Sequence, residues 1–145
     1  MSLLNSHLAP VVADDQLRDS PLWSPDGNLP TRLESTLYVM PASGGPWIPI
    51  TGGKNWDDKP HWSPNGRMIY FVSGRSGFFN VWRIHFDPAQ GKPIGAPFAV
   101  TKFESPAQMV PQHVPSVELS LNQDQLVLTL EQLSGSIWML ENVDQ

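Results

Sequence analysis

The apolar positions of this chain fall into short runs set off by turn residues, with no long amphipathic stretch. Met68-Ile69-Tyr70-Phe71-Val72-Ser73 is nearly continuous in apolar character, follows Asn65-Gly66, and is closed by Gly74-Arg75-Ser76-Gly77. A run of that length, β-branched and aromatic, reads as a strand with both faces covered. Asp58-Lys59-Pro60-His61-Trp62-Ser63 before it makes the partner strand, because Asn and Gly tolerate the positive φ of a tight hairpin. Phe78 to Phe86 predicts a third strand. Pro97-Phe98-Ala99-Val100-Thr101 predicts a fourth after a loop over 87–95. Proline and glycine recur too often for a helix to hold 10 to 12 uninterrupted periodic residues.

The same arrangement occurs elsewhere along the chain. Trp62-Ser63-Pro64-Asn65-Gly66 has a copy at Trp23-Ser24-Pro25-Asp26-Gly27, 39 residues earlier. A period of roughly 40 residues with strand-like segments between the copies points to radially repeated four-stranded antiparallel sheets, the blades of a propeller. In the earlier copy 28–34 holds the place of the second strand, and Pro30 would remove a ladder donor there. That strand is therefore expected to be short, distorted or displaced, whereas Thr36–Met40 and Trp47–Thr51 read clearly as the third and fourth. A degraded third copy runs through 117–125, 126–130 and 136–140, with Ile137-Trp138 matching Val81-Trp82. The fold class expected is all-β, a partial propeller of about three four-stranded blades with irregular first and last blades. One domain spans 1–145, with repeats at about 17–52, 56–103 and 114–142.

Composition narrows the possible activities. The 145 residues carry nine Lys and Arg against fourteen Asp and Glu, a net charge of −5, and no basic stripe able to neutralise several phosphates. Nucleic acid is not an expected partner. With no cysteine, a disulfide framework, a thiolate metal site and a cysteine nucleophile are excluded, while the redox compartment stays open. The N-terminal stretch lacks the positive region of a secretory signal, and no segment reaches the ~20 apolar residues of a membrane span, so membrane insertion is not expected. Met1-Ser2-Leu3 fits an artificial start placed on a section of a longer parent protein.

The Trp-Ser-Pro-Asx-Gly copies, the apolar strand after them, Ser73-Gly74-Arg75-Ser76-Gly77 and the aromatic Val81-Trp82 strand together resemble the TolB-type, WD-repeat-like β-propeller family, over about residues 17–142. The chain is then similar to the C-terminal part of a larger propeller. It departs from the usual pattern in its shortened first blade and at Ser76, where the family commonly has Asp. In that family the motif is architectural, so the resemblance carries no catalytic residue across. It implies a non-catalytic module for protein or ligand binding, the sensory or interaction part of a larger bacterial protein in an extracytoplasmic or periplasmic setting. The alternative is an accessory, non-catalytic propeller fragment of a prolyl-oligopeptidase-like serine peptidase.

Three blades do not close a ring. The open ends call for a homo-oligomer or for the remaining blades of a parent chain, and the exposed loops for a protein or peptide partner. Ser24 and Ser63 sit inside the repeat, where a hydroxyl bonds backbone at a turn, and no Gly-x-Ser-x-Gly elbow is present. No enzyme activity, cofactor or metal is expected. His7, His61, His85 and His113 share no ligand spacing. His61 precedes Trp62 on an innermost strand, where it would face a channel or remain structural. Asp57 and Asp58, with Asp19 matching Asp58, would gather carboxylates near the channel mouth or serve turns and caps. Arg75 would pair with a neighbouring acid or meet a ligand. Trp47, Trp56 and the pair Phe78-Phe79 would form an aromatic recognition patch or pack between blades.

Overall fold

The computed structural model describes residues 8–14, 35–41, 45–111, 117–123, 125–136 and 139. The first Trp-Ser-Pro motif, Asp19, His7, His113 and Trp138 lie outside them. Among the described residues the chain is all-β, arranged as three antiparallel sheets in chain order. No helix there is long and apolar enough to cross a membrane.

The central sheet is a complete four-stranded meander: β4 Asp57–Trp62, β5 Met68–Ser73, β6 Asn80–Asp87 and β7 Lys92–Ala99, in that order. Before it, β1 Leu8–Asp14, β2 Thr36–Pro41 and β3 Ile48–Pro49 form a three-stranded sheet. After it, β8 Leu119–Leu121 and β9 Leu126–Leu128 form a hairpin.

The alternation within β5 and β6 explains how the sheets stack. Side chains on a strand point alternately to opposite faces. Ile69 and Phe71, with Ile84 and Phe86, bury against Leu37, Val39 and Ile50 of the first sheet. Val72 and Val81 bury on the other face against Val117 and Leu119 of the third sheet, with Trp56 and Val110. A continuous apolar run is thus two alternating sets, each with its own core. Such face-to-face stacking of successive small sheets is the arrangement of a partial propeller. Trp62 and Trp82 pack on the first core and Trp56 lies in the second, so the repeat tryptophans fill the gaps between sheets.

Both edges of the central sheet are interrupted at proline. In β4, Asp58 pairs with Val72 and His61 with Tyr70, leaving one extra residue at Lys59-Pro60, and Lys59 has φ 53°. In β7, Arg83 pairs with Phe98 but His85 with Ile94, a bulge that takes in Gly95 at φ 71° and Pro97. Proline cannot donate to a ladder and is tolerated at such edge bulges, which also blunt the edge against pairing with another chain.

Three details differ from the sequence reading. The fourth strand begins at Lys92, because Asp87 closes the turn: its carboxylate accepts from the N–H groups of Ala89 and Gln90, at 2.9 and 3.2 Å. The predicted loop over 87–95 is therefore a tight hairpin. In the first sheet, the place beside β2 is held by Leu8–Asp14, a strand N-terminal to the predicted repeat; residues 28–34 lie outside the described residues. The third sheet has two three-residue strands, and most of its predicted third strand, 136–140, falls outside the described residues.

Candidate functional site

The repeated motif is a self-contained turn. Pro64 fixes its own φ at a turn position, and the Gly66 N–H donates to the Ser63 carbonyl at 2.8 Å. Gly66 alone takes the left-handed backbone, at φ 66°, and Asn65 does not. The Asn65 side chain is used differently: its Oδ1 accepts from the Ser63 hydroxyl at 2.8 Å and from the Arg67 N–H at 3.1 Å. The Ser63 Oγ in turn accepts from the Met68 N–H at 2.9 Å. A serine that donates to a side-chain amide and accepts from backbone has no base beside it to activate it.

The candidate residues Asp57 and Arg75 come together, but not at a surface. Asp57 is 1% exposed and its Oδ1 lies 2.8 Å from the Arg75 Nη2. Arg75 also donates through Nε to the Ser73 hydroxyl at 2.9 Å, and its guanidinium sits 5.2 Å from the Phe71 ring and 5.0 Å from that of Trp82. The Asp57 backbone is held by Ser35, whose hydroxyl accepts from its N–H at 2.7 Å and donates to its carbonyl at 2.6 Å. This cluster joins the first two sheets. Asp58 is spent locally, its carboxylate accepting from the Lys59 N–H at 2.6 Å across the bulge.

The aromatic candidates separate. Trp56 is 5% exposed and stacks on Phe79 at 4.8 Å, so it belongs to the core and not to a recognition patch. Phe78 is half-buried. Trp47 is 48% exposed and meets Tyr38 edge-on at 5.7 Å. His61 is half-buried on β4, and desolvation lowers its pKa below the ordinary histidine value, with the nearby Glu118 carboxylate opposing. His85 is exposed and stacks on Phe98 at 5.6 Å. No group of three His, Asp or Glu able to hold a metal occurs among the described residues.

The sequence reading passed over Arg83. Cross-strand pairing sets Tyr70, Arg83 and Phe98 side by side on β5, β6 and β7. The guanidinium carbon lies 4.6 Å from the Phe98 ring centre and 5.7 Å from that of Tyr70, and Nη1 donates to the Tyr70 hydroxyl at 3.0 Å. This row shares its face with Val72 and Val81. At the valine end Val117 and Leu119 bury against the face; at the arginine end an opening remains among the described residues. The result is an open cleft of about 600 Å³ between the Ser63-Pro64-Asn65 turn, the Tyr70-Arg83 row and the β8–β9 hairpin. Met68, Val100 and Leu126 give it apolar wall, while Gln123 and Gln125 add amides. The signal that could have found Arg83 was a lone charge at an alternate position of an otherwise apolar strand.

No family model matches this chain. An uncharacterized protein from Agrobacterium fabrum is 37% identical over 70 residues, which is 45% of this chain and 24% of that protein. A solved structure from Agrobacterium tumefaciens carrying the provisional name TolB aligns with TM-score 0.42 and 24% identity, covering 77% of this chain and 44% of its own. The chain thus spans about a quarter of the length of that curated relative. The description of the fold rests on the chain's own sheets.

Proposed function

We propose that this chain is a non-catalytic section of a β-propeller that binds a protein or peptide segment in the cleft between its complete blade and the β8–β9 hairpin. The observation that carries this reading is the opening between the complete blade and the hairpin, where half-buried Tyr70 and Arg83 stand beside apolar and amide side chains. A volume of about 600 Å³ falls within the roughly 300–1,000 Å³ of ligand pockets. The motif serine at the cleft wall is committed to its turn, and the buried Asp57-Arg75 pair outside the cleft to holding sheets together.

The outer sheet supports a partner beyond the cleft. Val127 is 63% exposed, and Leu130 and Leu133 are also exposed on the C-terminal side. Such apolar surface suits the remaining blades of a parent chain or a second copy. Peptide-display selection tests the binding role. Enriched peptides should lose binding when Gln125→Trp fills the cleft; an unenriched library, or peptides indifferent to that change, would refute it. Treatment with a fluorophosphonate probe tests the non-catalytic part, and stoichiometric labelling of any serine would overturn it.

A further inference from the structure

Arg83 is the one charged side chain among the described residues that line the cleft. Ion pairs elsewhere join Arg75 to Asp57 and Lys102 to Glu104, but Arg83 has no carboxylate partner among the described residues. Of the five N–H donors of a guanidinium, one goes to the Tyr70 hydroxyl. Nε is buried and makes no hydrogen bond. Shielded from the cleft, Nε is not the atom that meets an occupant; the Nη groups are, and Nη2 has no acceptor among the described residues. Stacking against Phe98 and Tyr70 fixes the plane of the fork without neutralising it.

We propose that Arg83 recognises a carboxylate of the bound segment, either an acidic side chain or a free C-terminus. This deepens the binding reading above and rests on it. A planar fork held in one orientation matches a carboxylate in a two-point contact. A dianionic phosphate group is less well served, since no second cation lines the cleft among the described residues and the chain is acidic overall, at −5. The amides of Asn65, Gln123 and Gln125 flank the same space and suit peptide backbone, with Met68 and Leu126 available to apolar neighbours of the acid.

The test follows the Arg83 Nε–H resonance by NMR during titration of the whole chain with sodium acetate, with acetamide in matched sodium chloride as control. Two capped peptides follow, one with an internal glutamate and one with glutamine in its place, and then the glutamine peptide with a free C-terminus. Acetate should shift the resonance saturably and acetamide should not. One carboxylate peptide should bind at least about tenfold tighter than the capped glutamine peptide, and which one does so identifies the source of the acid. Gln125→Glu, a change at an exposed position, sets a competing carboxylate in the cleft wall and should weaken acid binding about tenfold; Arg83→Gln should abolish the preference. If acetate gives no saturable shift while capped glutamine peptide still binds in the cleft, the carboxylate proposal fails and the binding reading stands. If no probe shifts any cleft resonance, both fail.

Discussion

Arg75→Met separates the structural role of the Asp57-Arg75 pair from a role in binding. The substitution keeps a long apolar stem near Phe71 and Trp82 but leaves the Asp57 carboxylate, 1% exposed, without its cation. Breaking a buried pair from one side costs about 3–5 kcal/mol, because the remaining charge is desolvated and unmatched. Against a domain stability of roughly 5–15 kcal/mol, that is a third or more of the total in many cases. At roughly 2–4 °C per kcal/mol for a chain of this size, Tm should fall by about 6–20 °C. Adding Asp57→Asn removes the stranded charge, so the double variant should recover about 1–3 kcal/mol relative to Arg75→Met alone. Urea unfolding followed by tryptophan fluorescence measures both steps. Peptide affinity at the cleft should be unchanged in the folded fraction, since neither residue lines it. A loss below about 1 kcal/mol, or strictly additive effects in the cycle, would refute the reasoning.

Asn80 is 2% exposed and ties the Ser76–Phe78 turn to the chain leaving the sheet: its amide donates to the Phe103 carbonyl at 3.1 Å and accepts from the Phe103 N–H at 2.7 Å and the Thr101 hydroxyl at 3.0 Å. Asn80→Ala should cost about 2–4 kcal/mol and raise hydrogen exchange at Phe103; unchanged exchange there would contradict the clamp. A Cβ at Gly74 would stand 2.8 Å from Phe79 Cε1, so Gly74→Ala should destabilise by about 1–3 kcal/mol, and Phe79→Leu in the same chain should recover part of it in urea titrations. For His61, desolvation holds the folded pKa below the ordinary histidine value, so the unfolded chain binds the proton more readily. Its contribution to stability is present above the unfolded pKa and is lost as pH falls through the folded value. His61→Gln should flatten that acid-side slope and Glu118→Gln should steepen it, both read from Tm against pH.

The central sheet was legible because its determinants are local. Pro64, Asn65 and Gly66 specify a turn from within five residues, and the β-branched and aromatic run after it allows little but a strand covered on both faces. The turn geometry was less accessible, since the sequence permits left-handed backbone at either Asn65 or Gly66 and the Ser63 hydroxyl bond decides between them. Leu8–Asp14 was missed because pairing with β2 lies across more than twenty intervening residues, and the turn signal among them, Ser24-Pro25-Asp26-Gly27, points to a nearer partner strand. Proximity to loops left Trp56 and Asp57 open to either a surface or a structural role; in space both are buried, Trp56 in the second core and Asp57 against Arg75. Arg83 is the converse, an apparent strand interior whose neighbours are set by register on both sides.

The cleft depends on strand length more than on any residue that lines it. β6 has eight residues, which at about 3.3 Å each extends ~26 Å, while the three residues of β8 reach only ~10 Å. Among the described residues, Val117 and Leu119 bury against the Val72-Val81 end, Tyr70 packs at the margin of that core, and the cleft opens beside Tyr70 and Arg83. The same strand therefore carries valine where the described part of the third sheet packs and arginine beside the cleft. The opposite face shows no such change: Trp82, Ile84 and Phe86 stay apolar along β6 because the first sheet packs over them throughout. A hydrophobic residue at position 83 would extend the second core onto the cleft, where the guanidinium instead keeps its polar end at the opening and its plane against Phe98.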